Sequence, residues 1–209
     1  MNDPLQTFRI YQRIIAGICI TIPAILRFYE KDTNYPAMVI KGGEEIGKDR
    51  FGFRLSISDY VYSTNSYLFG MLLCIAAMLF IFNGAVYFKN QDRMQLHSMG
   101  KWYNTILGIC LLGVVSCPHR NWEILHYLFA GIFFLGNAFV IGIFHGQRDR
   151  IKRIIMAVLT VLFIVLGAVV KRDFTLFWGE WLSLTVIGIH LILESRLMNL
   201  RVSIHKETN

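Results

Sequence analysis

The sequence predicts an all-α membrane protein, a single domain of six transmembrane helices over residues 1–209. Of its 209 residues, 55% are hydrophobic and only 17% are charged, whereas a soluble domain has about 45–50% apolar and about 25% charged residues. The mean hydropathy is +0.47. Long apolar runs alternate with short charged ones, which is typical of a polytopic membrane protein.

Six apolar runs are suited to cross a bilayer, for which a helix needs about 20 residues at about 1.5 Å per residue. They cover residues 10–28, 66–88, 102–118, 124–145, 154–170 and 175–193. The first run follows Arg9 and Arg13 as a signal peptide would. No small-residue cleavage site follows it and Arg27 closes it, so we expect a retained helix.

Basic residues are concentrated in every second connection, and this asymmetry predicts the orientation. The side richest in Lys and Arg carries Arg9, Arg13, Lys89, Arg93, Lys101, Arg148, Arg150, Lys152, Arg153, Arg196, Arg201 and Lys206. The sequence therefore predicts that both termini are cytoplasmic, in a bacterial inner membrane, and that residues 29–62 form an extracytoplasmic loop. The formal charge of +7 is then explained by contact with anionic headgroups, and no nucleic-acid binding is expected.

Neither cofactor nor metal is predicted. The four cysteines, Cys19, Cys74, Cys110 and Cys117, include no pair with C-x-x-C spacing, so the sequence favours neither a zinc site nor disulfides. His119 begins an H-x-x-x-E-x-x-H pattern, but Pro118 places it before the helix starts. Zinc sites also prefer more histidines than this pattern offers.

Several polar residues fall at the predicted outer end of the bundle. Asp59 precedes the second helix in "RLSISDYVYS", His126 opens the fourth, and Glu180 lies early in the sixth within "TLFWGEWLSL". An ionisable group inside a membrane costs about 2.5–3.5 kcal/mol on insertion scales, so a partner or water is expected. The candidate ligand-binding residues are Ser56, Ser58, Asp59, Tyr60, Arg120, His126 and Glu180.

Three interpretations of this set stay open. In the first, Asp59 and its serines cap the second helix, while His126 and Glu180 bond to each other or to Arg120. In the second, the residues form a recognition pocket for a lipid headgroup or small polar ligand. In the third, Ser56 or Ser58 converges with His126 and an acid for hydrolysis.

Three motifs in order carry a family resemblance: "SISDY" at 56–60, "HYLFA" at 126–130 after Pro118, and "FWGE" at 177–180. Together they resemble the uncharacterised bacterial six-helix membrane proteins of the DUF998 and Frag1/DRAM/Sfk1-like group. The resemblance covers residues 54–194 and implies that Asp59, His126 and Glu180 belong to one set. It implies no activity.

The sequence favours a non-enzymatic membrane protein that binds a lipid or small ligand in an outer pocket, as a sensor or regulator. One alternative is an intramembrane lipid hydrolase. Another is an accessory or effector protein of a bacterial defence locus, including a CRISPR-associated one. Membrane lipids are the expected partners, and the basic inner loops are the surface on which a cytoplasmic protein partner is expected.

Overall fold

The protein is all-α, and six helices account for most of the chain. The computed structural model describes residues 4–30, 51–63, 65–89, 100–143, 150–170 and 174–207, which contain no strand. The helices are α1 Pro4–Tyr29, α2 Ser66–Lys89, α3 Gly100–Ser116, α4 Glu123–Ile143, α5 Arg150–Val170 and α6 Leu176–Glu207. A short 3₁₀ helix, Ser58–Tyr62, precedes α2.

Five of the six helices are long and apolar enough to cross a membrane: α1, α2, α4, α5 and α6. The sixth, α3, has 17 residues, which at about 1.5 Å per residue is a little shorter than the hydrocarbon core. The predicted fold class, an all-α polytopic bundle, is confirmed.

The helices pack in a closed ring in which each contacts its neighbours in sequence. The pairs α1–α2, α2–α3, α3–α4, α4–α5 and α5–α6 are all in contact, and α6 packs against α1 to close the ring. The centre is filled by aromatic side chains that are at most 2% exposed: Tyr60, Phe69, Phe80, Phe133 and Phe177.

The outer faces of the helices are apolar as well. Exposed fractions reach 83% for Ile124, 72% for Val169 and 58% for Val158. A protein surrounded by water rarely leaves so continuous an apolar surface uncovered. This surface is the one that lipid chains would cover in a membrane protein.

Two glycines let α5 and α6 approach each other closely. A Cβ at Gly179 would overlap the carbonyl oxygen of Phe163 and would lie 3.2 Å from the Cα of Gly167. Small residues at helix contacts are the usual means by which membrane helices pack backbone to backbone. This contact fixes the start of α6, on which Glu180 lies.

Residues 51–63 fold back against the start of α6. The amide of Phe177 donates to the carbonyl of Leu55 at 2.7 Å, and the rings of Phe53 and Phe177 stack with centroids 4.7 Å apart. Arg54 forms an ion pair with Glu30 at 2.7 Å, which ties the segment to the end of α1. The remainder of the predicted outer loop, residues 31–50, lies outside the described residues.

Candidate ligand-binding site

A small cavity lies where the 3₁₀ segment meets α2, α3, α4 and α6. Its volume is about 40 Å³, and its polar lining consists of Ser58, His126 and Glu180. The rest of the lining is apolar and includes Phe69 and Phe133. A water needs about 10–15 Å³ on this measure, so the cavity has room for a few water-sized groups.

Glu180 links the last helix to the 3₁₀ segment. Its side-chain Oε2 accepts a hydrogen bond of 2.6 Å from the amide of Ile57, and the residue is only 9% exposed. A buried carboxylate is costly unless it is hydrogen-bonded. Glu180 therefore holds residues 56–58 at the edge of the cavity.

Asp59 makes a local turn with Ser56. Its Oδ2 accepts from the Ser56 amide at 3.0 Å, and its own amide donates to Ser56 Oγ at 3.2 Å. The hydroxyls of Ser56 and Ser58 lie 2.9 Å apart. Because these bonds are internal to the segment and α2 begins only at Ser66, Asp59 shapes the 3₁₀ helix and does not cap α2.

Two histidines connect Asp59 to the cavity. His119 Nε2 lies 3.4 Å from Asp59 Oδ1, and the His119 and His126 ring centroids are 5.6 Å apart. His126 Nδ1 lies 2.8 Å from the carbonyl oxygen of Cys117. A carbonyl only accepts, so Nδ1 carries the proton and Nε2 of a neutral ring keeps its lone pair.

Burial shifts the titration of groups on this rim. The pKa of His119 is lowered, mainly because burial disfavours the imidazolium, and the nearby Asp59 carboxylate opposes this only in part. Burial also raises the pKa of Tyr60 and of Tyr62. These three residues are therefore neutral at physiological pH.

The two other candidates lie beside the cavity. Tyr60 is fully buried, and its ring faces the Arg54 guanidinium at 5.9 Å. The Arg120 amide donates to the Tyr62 hydroxyl at 3.1 Å, and its guanidinium carbon lies 3.9 Å from the Tyr62 ring centroid. Neither residue lines the cavity.

The structure thus separates the predicted set into layers. The cavity is lined by Ser58, His126 and Glu180. Ser56 and Asp59 do not line it but hydrogen-bond within the segment that carries Ser58. Tyr60 and Arg120 lie beside it. His119 and Tyr62 were not in the predicted set although both bind its members. The sequence signals for His119 are the H-x-x-x-E-x-x-H pattern that it forms with Glu123 and His126, and its place after Pro118, just before a helix.

The cavity offers a hydroxyl, an imidazole and a carboxyl group, which can all hydrogen-bond to a ligand. In the described part of the chain, Ser58 bonds to Ser56 and Glu180 bonds to the Ile57 amide. These partners differ from those of a catalytic triad, in which nucleophile, base and acid bond to one another. The arrangement suits recognition.

Comparison with known proteins gives one family. Residues 21–195 match a family of unknown function, DUF7103. No curated protein and no solved structure matches the chain. The resemblance to the DUF998 and Frag1/DRAM/Sfk1-like group is not tested by this match and stays a prediction.

Proposed function

This chain belongs to the DUF7103 family, whose function is unknown, and we propose that it is a non-enzymatic membrane protein that binds a lipid or small polar ligand. The binding site is the cavity lined by Ser58, His126 and Glu180. Occupancy of the site would make the protein a sensor or regulator.

One observation carries this proposal: two helices distant in sequence each bury a titratable side chain at the same apolar cavity. His126 is 3% exposed and Glu180 is 9% exposed. Burying such groups is costly, and intramembrane ionisable residues commonly mark a functional site. The cavity is small, so it would take a hydroxyl or amine group of the ligand, while the apolar part lies against the helices outside.

The test measures the melting temperature of the purified protein in detergent with and without added bacterial polar lipid extract. Glu180→Gln replaces the carboxyl group with an amide of similar shape, and His126→Asn removes Nε2 while its amide can still donate to the Cys117 carbonyl. We expect lipid to stabilise the wild type by several degrees and both variants by less. Glu123→Gln is the matched control, because Glu123 is an exposed carboxylate on the same rim. An equal lipid effect in wild type and both variants would contradict the proposal.

The second candidate function is intramembrane lipid hydrolysis. It is favoured by one observation, that the Ser58 hydroxyl lines the same cavity as His126. In that case Ser58→Ala abolishes fatty-acid release from a panel of glycerolipids that the wild type hydrolyses. Turnover of every lipid at the wild-type rate in Ser58→Ala would remove this candidate.

We also propose the finer topology, a bacterial inner-membrane protein with both termini in the cytoplasm. It is supported by the excess of Lys and Arg in the connections on that side. Lys89, Arg150, Lys152 and Arg153 flank two of these connections within described helices, whereas the connections themselves, residues 90–99 and 144–149, lie outside the described residues. A cytoplasmic partner that binds these basic residues, such as a component of a defence locus, would be revealed by the neighbouring genes. Neighbouring genes that encode only envelope and transport functions would count against such a partner.

A further inference from the structure

Arg120 is held in place by two contacts with Tyr62. It lies in the connection between α3 and α4, where its amide donates to the hydroxyl of Tyr62 at 3.1 Å. Its guanidinium carbon lies 3.9 Å from the Tyr62 ring centroid, within the range of a cation–π contact. The position of the charged group is therefore defined, although the residue as a whole is half-buried.

One edge of this guanidinium has no hydrogen-bond acceptor among the residues that the structure describes. The Nε and Nη2 atoms are both buried, and neither has a partner among the residues that the structure describes. These two nitrogens form the edge whose N–H groups point in parallel and match two oxygens of a carboxylate or phosphate. A buried charged donor without an acceptor is unfavourable, so this edge favours an oxyanion.

The nearby carboxylates have other partners. Asp59 accepts from the Ser56 amide and contacts His119, and Glu180 accepts from the amide of Ile57. Glu123 is exposed, so solvent screens its charge. The oxyanion that fits Arg120 therefore comes from outside the described residues, and it reaches the two buried nitrogens only when the side chains that cover them move.

The depth of Arg120 indicates which oxyanion this is. Trp122 and Tyr127 are 56% and 52% exposed, close to Arg120 in sequence. Amphipathic aromatic rings in such positions mark the level of the lipid headgroups, where phosphate groups lie. Phosphate is therefore an oxyanion that is available at the level of Arg120.

We infer that Nε and Nη2 of Arg120 bind the phosphate group of the ligand whose polar end occupies the neighbouring cavity. This inference rests on the proposed function and gives it a ligand class, a phosphate ester. The phosphate belongs either to a membrane phospholipid or to a soluble phosphate compound. Arg120 is linked to the cavity through ring contacts: it lies over Tyr62, the Tyr62 ring contacts His119, and His119 contacts His126, which lines the cavity.

The test uses the delipidated full-length protein in detergent and three probes: dioleoylphosphatidylglycerol, dioleoylglycerol, which lacks phosphate, and inorganic phosphate. Arg120→Lys keeps the charge but removes the paired N–H groups. We expect it to weaken phosphatidylglycerol binding about 10-fold or more and to leave dioleoylglycerol binding unchanged. Arg150→Gln is the control, because Arg150 is exposed at the start of α5, and this variant should bind both lipids as the wild type does.

The outcomes separate the two proposals. Wild-type affinity for phosphatidylglycerol in Arg120→Lys overturns the phosphate contact, and if Glu180→Gln is then still impaired, the proposed function stands. If Arg120→Lys binds phosphatidylglycerol more weakly while Glu180→Gln binds it as the wild type does, the phosphate contact is supported and the shared site is overturned. Competition by inorganic phosphate identifies a soluble source, and its absence identifies the lipid. If Arg120→Lys does not fold, equal stabilisation of the wild type by both lipids overturns the inference.

Discussion

Side chains at the end of the bundle that contains the cavity are held largely by backbone groups. Glu180 accepts from the Ile57 amide, His126 is bonded to the Cys117 carbonyl, and the Tyr62 hydroxyl accepts from the Arg120 amide. In each case a substitution can alter the functional group of the side chain and still keep the hydrogen bond to the backbone. Conservative substitutions can therefore distinguish a structural role from a binding role.

Glu180→Ala should destabilise the protein more than Glu180→Gln does. Alanine leaves the buried Ile57 amide without its acceptor, which costs roughly 1–3 kcal/mol, whereas the glutamine carbonyl oxygen can still accept. Unfolding by increasing denaturing detergent, followed by circular dichroism, measures both. Equal stability of the two variants would show that the bond to Ile57 does not support the fold.

His119 should make the protein less stable in mild acid. The pKa of folded His119 lies below its ordinary value of 6.5 because the residue is buried. The unfolded chain therefore binds a proton as the pH falls through 6.5 while the folded chain does not, and stability decreases in that direction. Above this range the ring is neutral in both states and the effect vanishes.

The measurement compares melting temperatures of wild type and His119→Gln from about pH 7 to about pH 5. We expect a smaller decrease in the variant. Asp59, Glu123, Arg120 and His126 also act on this ring, so the difference between the two curves is the relevant quantity. Parallel curves would mean that His119 takes up its proton equally well in the folded state.

Among the helices, the contact between α5 and α6 has the least room. At Gly179 and Gly167 the two backbones approach so closely that an added methyl group cannot be accommodated without movement of the helices. Since Glu180 follows Gly179 directly, separation of these helices would also move the carboxyl group that holds the 3₁₀ segment.

Gly179→Ala should lower the stability by about 1–3 kcal/mol, the usual cost of overpacking, and should weaken lipid binding. Gly131→Ala is the matched control, because a Cβ at Gly131 would meet no described atom within 4 Å. In that position alanine should be neutral or stabilise the helix by about 0.5–1 kcal/mol. Thermal unfolding of both variants decides the matter; similar melting temperatures would contradict the close contact.

The helices could be predicted from sequence because each is one long apolar run, and apolar length is what a bilayer requires. The path of residues 51–63 could not. Its attachment depends on the amides of Ile57 and Phe177, and backbone groups leave no mark in the sequence. Asp59, Ser58 and Glu180 could be recognised as candidates because of their residue types and positions in the sequence. The role of His119 between Asp59 and His126 could not, because that contact depends on the fold.

On the scale of the whole molecule, the ring of six helices has an apolar outside and a core that contains titratable groups. Neither the ring nor its apolar surface fixes which end faces the cytoplasm. That assignment depends on the charges of the connections, and labelling of single cysteines tests it. A background without Cys19, Cys74, Cys110 and Cys117 is required.

In that background, Asn121→Cys in the connection between α3 and α4 should react with a membrane-impermeant maleimide in intact spheroplasts. Arg150→Cys, at the start of α5, should react only after the membrane is permeabilised. Both positions are exposed, so a difference in labelling reports the side of the membrane. Labelling of Arg150→Cys alone in intact spheroplasts would reverse the proposed orientation.

The attachment of residues 51–63 to α6 has a consequence for biosynthesis. Ile57 is made early and its acceptor, Glu180, is made late, so the ribosome must add more than half of the chain before this bond can form. During that interval the cavity is incomplete, and a nascent protein cannot bind the proposed ligand there. Ligand binding would therefore report that the sixth helix has been inserted, and only completed molecules would respond.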